Sequence, residues 1–209
     1  MFSLQTIFGK GDKFYGLLEA SSESARMSAR ALIELLSAPA SQLSLDKFKE
    51  ARRREKELFT EISGELINTF VTVLDREDIE ALNSALYRIP KTVEKFAERY
   101  TLAITRIGDV DFKSRAVMLE QACEVLEQMV RLLRQGMDLD KIKILNDQLQ
   151  AIEGEADRQI LELYREAYAS ETDPIRYLVK MDLFEILEKA IDRCRDAGNV
   201  VYYIILKNS

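Results

Sequence analysis

The chain has no histidine and no tryptophan. Without histidine it lacks the side chain that most often serves as general base near neutral pH, and the commonest nitrogen ligand for a metal. Redox and hydrolytic chemistry are therefore poorly supported, and the Glu-x-x-His sites of ferritin-like di-iron bundles are excluded. Two cysteines, Cys123 and Cys194, cannot make a disulfide framework. They suit a reducing compartment and read as small buried apolar residues. Three prolines and eight glycines leave few breakpoints in 209 residues. No basic block or aromatic-basic face appears, so nothing points to nucleic acid. No apolar run approaches the ~20 residues needed to span a bilayer. Val200 to Leu206 is apolar but short, and reads as the end of a core helix. Met1 to Phe8 shows neither an early positive charge nor a cleavage site, so no signal peptide is read there and a cytoplasmic, soluble protein is expected.

What the chain has in quantity is helix-forming residues. Apolar residues make up 47%, the net charge of −6 is mixed along the sequence, and Ala, Leu, Glu, Arg and Lys dominate. Apolar positions recur with helical period almost throughout, and no period-2 stretch appears. The pattern predicts a helix from about Asp12 to Ser37, ended by Pro39, with Leu18, Ser21, Ala25, Ser28 and Leu32 inward. A second runs from about Leu45 to Leu74, with Phe48, Leu58, Ile62, Leu66 and Phe70 inward. Asp75 is a suitable N-cap for a third, which reaches about Thr105 through Pro90. Gly108 and Asp109 mark the midpoint. A fourth helix covers about Phe112 to Gln135, with Val117, Ala122, Met129 and Leu133 inward and Gly136 as its cap. The fifth covers about Leu139 to Tyr168, with Leu149, Ile152 and Ala156 on its stripe. Asp173-Pro174 is a strong start signal for a sixth, ending near Leu206. An offset of 101 pairs Leu32 with Leu133, Ile62 with Leu163, Leu82 with Leu183 and Leu86 with Leu187. The expected architecture is all-α: six long antiparallel helices in two tandem three-helix bundles, residues 1–107 and 108–209.

Two copies of Glu-x-x-x-Asp stand in the second half: Glu153 with Asp157, and Glu188 with Asp192. A spacing of four stacks both carboxylates on one helix face. Each acid follows a core residue (Ile152, Ala156, Leu187, Ile191), so each pair borders the apolar stripe. On antiparallel neighbours the pairs could meet at one rim, where hard oxygen donors suit a divalent or trivalent cation. The plainer reading is solvated helix surface, with Arg158, Lys189 and Arg193 neutralising the acids. At the same offset the first half carries Arg52, Lys56, Tyr87 and Lys91 instead. Arg52, Lys56 and Lys91 are candidates for an anion site, phosphate being one such anion. The plainer reading pairs these cations with Glu55, Glu57 and Glu94.

The sequence resembles the PhoU-like phosphate transport regulators, in the branch associated with low-affinity Pit-type phosphate transporters. The resemblance lies in Lys13-Phe14-Tyr15 with Leu17-Leu18-Glu19, Leu74 to Ile79, Ile152 to Asp157, Asp173-Pro174-Ile175 and Leu187 to Cys194, in order along nearly the whole chain. It implies tandem three-helix bundles and metal binding through Glu/Asp-x-x-x-Asp motifs. Glu153, Asp157, Glu188 and Asp192 match that pattern, and the first half departs from it, so at most one metal centre, of Fe, Zn, Mn or Mg in the C-terminal bundle, is expected. The implied role is a non-enzymatic regulator or adaptor acting on a phosphate transporter or an associated signalling protein, meeting the membrane only through that partner. The alternative is a helical scaffold for protein–protein contact with no metal or phosphate role. A metal-dependent hydrolase is disfavoured, because no nucleophile or general base is identifiable. An uncovered apolar helix face could also support a homo-oligomer.

Overall fold

The computed structural model describes the backbone of residues 4–108 and 110–209, and their side chains from Asp12 onward except Ser170. Asp109, read with Gly108 as the midpoint, lies outside the described residues, as do Met1 to Ser3 of the N-terminal segment. Six helices make up nearly everything: α1 (Leu4–Ser37), α2 (Asp46–Asn68), α3 (Arg76–Ile107), α4 (Lys113–Leu132), α5 (Leu139–Ser170) and α6 (Pro174–Lys207). Among the described residues there is no strand.

Helices α1, α2 and α3 pack on one another, and α4, α5 and α6 do the same. Two further seams join the halves: α1 lies along α4, and α3 lies along α6 in the most extensive contact of all. Both seams are antiparallel. At one end of the second, Lys207 near the end of α6 pairs with Asp75 and Asp78 at the start of α3, and further along Arg99 pairs with Asp182. In the α1–α4 seam, Arg26 donates to Glu120 (2.8 Å), Glu124 (2.6 Å) and the buried Glu127 (3.2 Å), while Arg134 reaches back to Glu19 (3.3 Å). The buried apolar side chains form one continuous core across both halves. Its aromatic knot is Phe112, whose ring centroid lies 4.6 Å from Phe184, 5.6 Å from Phe96 and 5.9 Å from Tyr100. Cys123 and Cys194 are free and fully buried in this core, with their Sγ atoms 3.6 Å apart.

The helix boundaries follow local chemistry. Asp173 caps α6 by accepting from the backbone N–H groups of Ile175 and Arg176, with Pro174 at the first helical position. Asp138 caps α5 in the same way. Asp75 occupies the N-cap position of α3 but makes no side-chain cap bond; its carboxylate turns to Lys207 instead. Gly136, at φ 103°, supplies the left-handed residue that closes α4.

Three sequence expectations need correction. Helix α1 begins at Leu4 and runs through Gly9 and Gly11, which weaken a helix without breaking it. Helix α2 stops at Asn68, because Thr69-Phe70-Val71-Thr72-Val73 is rich in β-branched residues and Thr69 turns extended. Arg76 holds the bend by donating to the carbonyls of Thr69 (2.8 Å) and Leu66. Phe70 is therefore 98% exposed, not inward. Val117 is also exposed: Ala116 and Leu119 take the buried positions in the first turns of α4, while Ala122, Met129 and Leu133 are buried as expected.

Candidate functional site

Helices α5 and α6 are joined by a short connection and pack side by side along their apolar stripes. Gly198 allows the close approach: a Cβ there would stand 2.4 Å from Leu149 Cδ2 on α5. This packing brings the two acidic motifs to one rim. One carboxylate oxygen each from Glu153, Asp157 and Asp192 lie within 4.8 Å of one another. Glu188 lines the same cleft of about 340 Å³, together with Lys189, Arg193, Arg195 and Asp196. Three of the four expected acids thus form the tight group and the fourth sits beside it.

The neighbouring cations are partly committed elsewhere. Arg193 donates to Asp196 (2.8 Å), and Arg195 donates to Asn146 Oδ1 (2.7 Å). Arg158, expected as a neutralising partner, binds Glu155. Burial pushes the Glu188 carboxyl up to about 7, with Asp192 and Asp157 adding to the rise. Burial likewise raises Asp192, helped by Asp157, Glu153 and Asp196, while Arg193 opposes. The causes are half-burial and mutual repulsion, which a cation would relieve.

The donor set fits such an ion. Two oxygens bound to one ion at about 2.0–2.4 Å can lie no more than about 4.0–4.8 Å apart, so the three acids would close in slightly on an ion smaller than calcium, and all-oxygen ligation is what hard cations take. Glu153, Asp157 and Asp192 would hold it, with Glu188 adjacent. Arg195 is the cleft residue that sequence reasoning missed; its spacing of three from Asp192 was the available signal.

The first half is arranged differently. Arg52 pairs with Glu94 (3.2 Å), donates to Tyr87 Oη (3.1 Å) and stacks over the Tyr87 ring at 4.6 Å. Lys56 is exposed. Lys91 lines a separate groove with Arg88, Lys95, Lys189 and Arg193. The three expected anion ligands thus face different neighbours: Arg52 turns to Glu94 and Tyr87, and Lys91 to the α6 cations. Glu55, which was expected to pair with these cations, is fully buried instead and accepts from Ser21 Oγ (2.6 Å). Burial raises its pKa, with Ser21 and Ser24 opposing the rise.

No family model matches the chain. It is 22% identical over 203 residues, 94% of each chain, to a protein named as a pit accessory protein in Rhizobium meliloti. It is 27% identical over 146 residues to the UPF0111 protein YkaA of Bacillus subtilis, covering 69% of this chain and 70% of that one. Among solved structures it is similar to a PhoU-like protein from Shewanella oneidensis (TM-score 0.79, 16% identity, 93% of this chain and 99% of that chain). It is also similar to PhoU from Pseudomonas aeruginosa (TM-score 0.55, 17% identity, 99% and 98%). In fold the chain is PhoU-like, and along nearly its whole length it is similar in sequence to a pit accessory protein.

Proposed function

We propose that this chain is a non-enzymatic regulator of phosphate transport that acts by contact with a transporter or an associated signalling protein. The observation that carries the reading is similarity along 94% of both chains to a pit accessory protein, on a PhoU-like frame. No helix among the described residues is long and apolar enough to cross a membrane, so membrane contact would come through the partner, with the protein on the cytoplasmic side. The halves 1–107 and 108–209 read as two copies of one three-helix unit, of which only the second keeps the acidic motifs. Glu153, Asp157 and Asp192 hold a divalent or trivalent cation such as Fe, Zn, Mn or Mg, with Glu188 beside it. A bound cation would supply the positive charge that ties α5 to α6. The protein residues set its place: Gly198 fixes the helix approach, and Arg193 and Arg195 turn to other partners.

The test is purification of the tagged protein from its own host. A phosphate transporter should co-purify, and phosphate uptake should change on deletion. Unchanged uptake and no transporter in the eluate would reject the regulatory reading. A second reading, a helical scaffold with no link to phosphate, draws support from Ile67, Phe70 and Val71, exposed within five residues of one another at the α2–α3 bend. That reading expects an unrelated protein in the eluate, released when Phe70→Ser is substituted.

A further inference from the structure

The α3–α6 seam carries a groove that the cation site does not use. Arg88, Lys91 and Lys95 project from α3, and Lys189 and Arg193 from α6; Thr92 and Ile186 complete the lining. The groove measures about 300 Å³, at the lower end of small-ligand pockets. No carboxylate lines it. Arg193 is the member held by an acid, Asp196, while no ion pair within 4.0 Å joins Arg88, Lys91, Lys95 or Lys189 to a carboxylate among the described residues. Two other cations of the same seam are matched: Arg99 has Asp182, and Lys207 has Asp75 and Asp78.

Gathering like charges between two packed helices destabilises the fold through mutual repulsion unless an anion screens them. We propose that this groove binds a compact soluble polyanion of the phosphate class, a condensed phosphate or a phosphate ester. Several cations converging from two rigid helices suit a small ligand with many anionic oxygens, and arginine adds a fork that grips two oxygens of one phosphoryl group. A lipid headgroup shares that chemistry. The neighbouring rim argues for the soluble source: Lys189 and Arg193 also border the cleft of Glu153, Asp157, Glu188 and Asp192, whose charge would repel an extended anionic membrane surface.

The experiment measures tripolyphosphate binding by calorimetry in EDTA, so that no metal can bridge the anion to the acids and the outcome is independent of the cation site. Lys91→Glu with Lys95→Glu removes two exposed groove cations. Lys143→Glu with Arg165→Glu, two exposed cations on α5, makes the same change in net charge outside it. Circular dichroism confirms folding of both. Binding to the wild type, weakened at least tenfold by the groove pair and less than threefold by the α5 pair, is expected. Affinity should also fall as salt rises. Absence of binding, or equal weakening by both pairs, overturns the proposal. Co-sedimentation with phosphatidylglycerol vesicles in the absence of tripolyphosphate binding would assign the groove to a membrane surface and overturn the soluble source.

Discussion

At positions 101 apart, the two halves of the chain make opposite electrostatic choices on one helical frame. Arg52 pairs with Glu94 in the first half; the corresponding positions in the second hold Glu153 and Arg195, with the signs exchanged. Those two do not neutralise each other, because Arg195 turns to Asn146 and Glu153 joins Asp157 and Asp192. Tyr87, which receives the Arg52 guanidinium on its face, stands where the second half has Glu188. Inside, the contrast reverses. Ser21 and the buried Glu55 form a polar contact between α1 and α2, and Ala122 and Ala156 replace both members of that contact in the second half. The first half is therefore closed on itself at its rim and polar at this inner contact, and the second is open at its rim and apolar there. The frame tolerates both because it is set by the seams that join the halves. One of those seams contains a contact between corresponding positions, Arg26 with Glu127.

The largest effect should come from a residue that serves both halves. Phe112→Ala removes the centre of the aromatic knot and should cost about 3–5 kcal/mol, read as a shift in urea midpoint. Unfolding followed by circular dichroism and by tyrosine fluorescence should remain one coincident transition. Two separated transitions would show that the halves are independent, and the comparison would then concern two proteins in one chain.

Next is cation binding. At a free concentration one hundred times Kd, a bound ion should stabilise the chain by about 2.7 kcal/mol. Thermal shifts with Fe, Zn, Mn and Mg, with elemental analysis, measure this. Asp157→Asn with Asp192→Asn should abolish both the shift and the bound metal, and Arg52→Ala with Lys91→Ala should leave them intact. A shift that survives the first pair and disappears with the second would invert the assignment of the halves.

Smaller again is Arg52→Ala alone. It loses a partly exposed ion pair and a cation–π contact, together about 1 kcal/mol by chemical denaturation. Glu153→Ala in the metal-free protein should instead be neutral or slightly stabilising, since it relieves repulsion. Equal losses from both would erase the contrast between a neutralised rim and an open one.

The mildest effect is with pH. The Glu188 carboxyl titrates near 7 in the fold and near 4.5 when unfolded, so between those values the folded chain holds the extra proton. The stability from this group is present below about 4.5 and is lost as pH rises through about 7. The metal-free Tm should drift down from pH 5.5 to 8, and Glu188→Gln should flatten the drift. Cation affinity should move the other way, rising over the same interval as the competing proton leaves.

Much of this was readable in the chain itself. Asp173-Pro174 and Gly136 set helix ends because their chemistry is local, and three of the four acids met, with Glu188 beside them, because a spacing of four on two antiparallel neighbours leaves them little alternative. Phe70 was misplaced because apolar periodicity continues past the β-branched run where helix α2 gives way. The α1–α4 and α3–α6 seams were not legible: a stripe records that a helix face is buried, not which partner buries it. For the same reason Lys91 looked like a companion of Arg52, although α6 draws it into a groove with Lys189.

Gly198 carries a consequence for ion selectivity. The gap between α5 and α6 is gauged by a bare backbone position, with Leu149 pressed against it. Alanine there would force Leu149 to swing aside, and a bulkier residue would lever α5 outward, carrying Glu153 and Asp157 away from Asp192. Residue size at this single point becomes a caliper for the ionic radius the rim accepts, adjustable without touching one ligand.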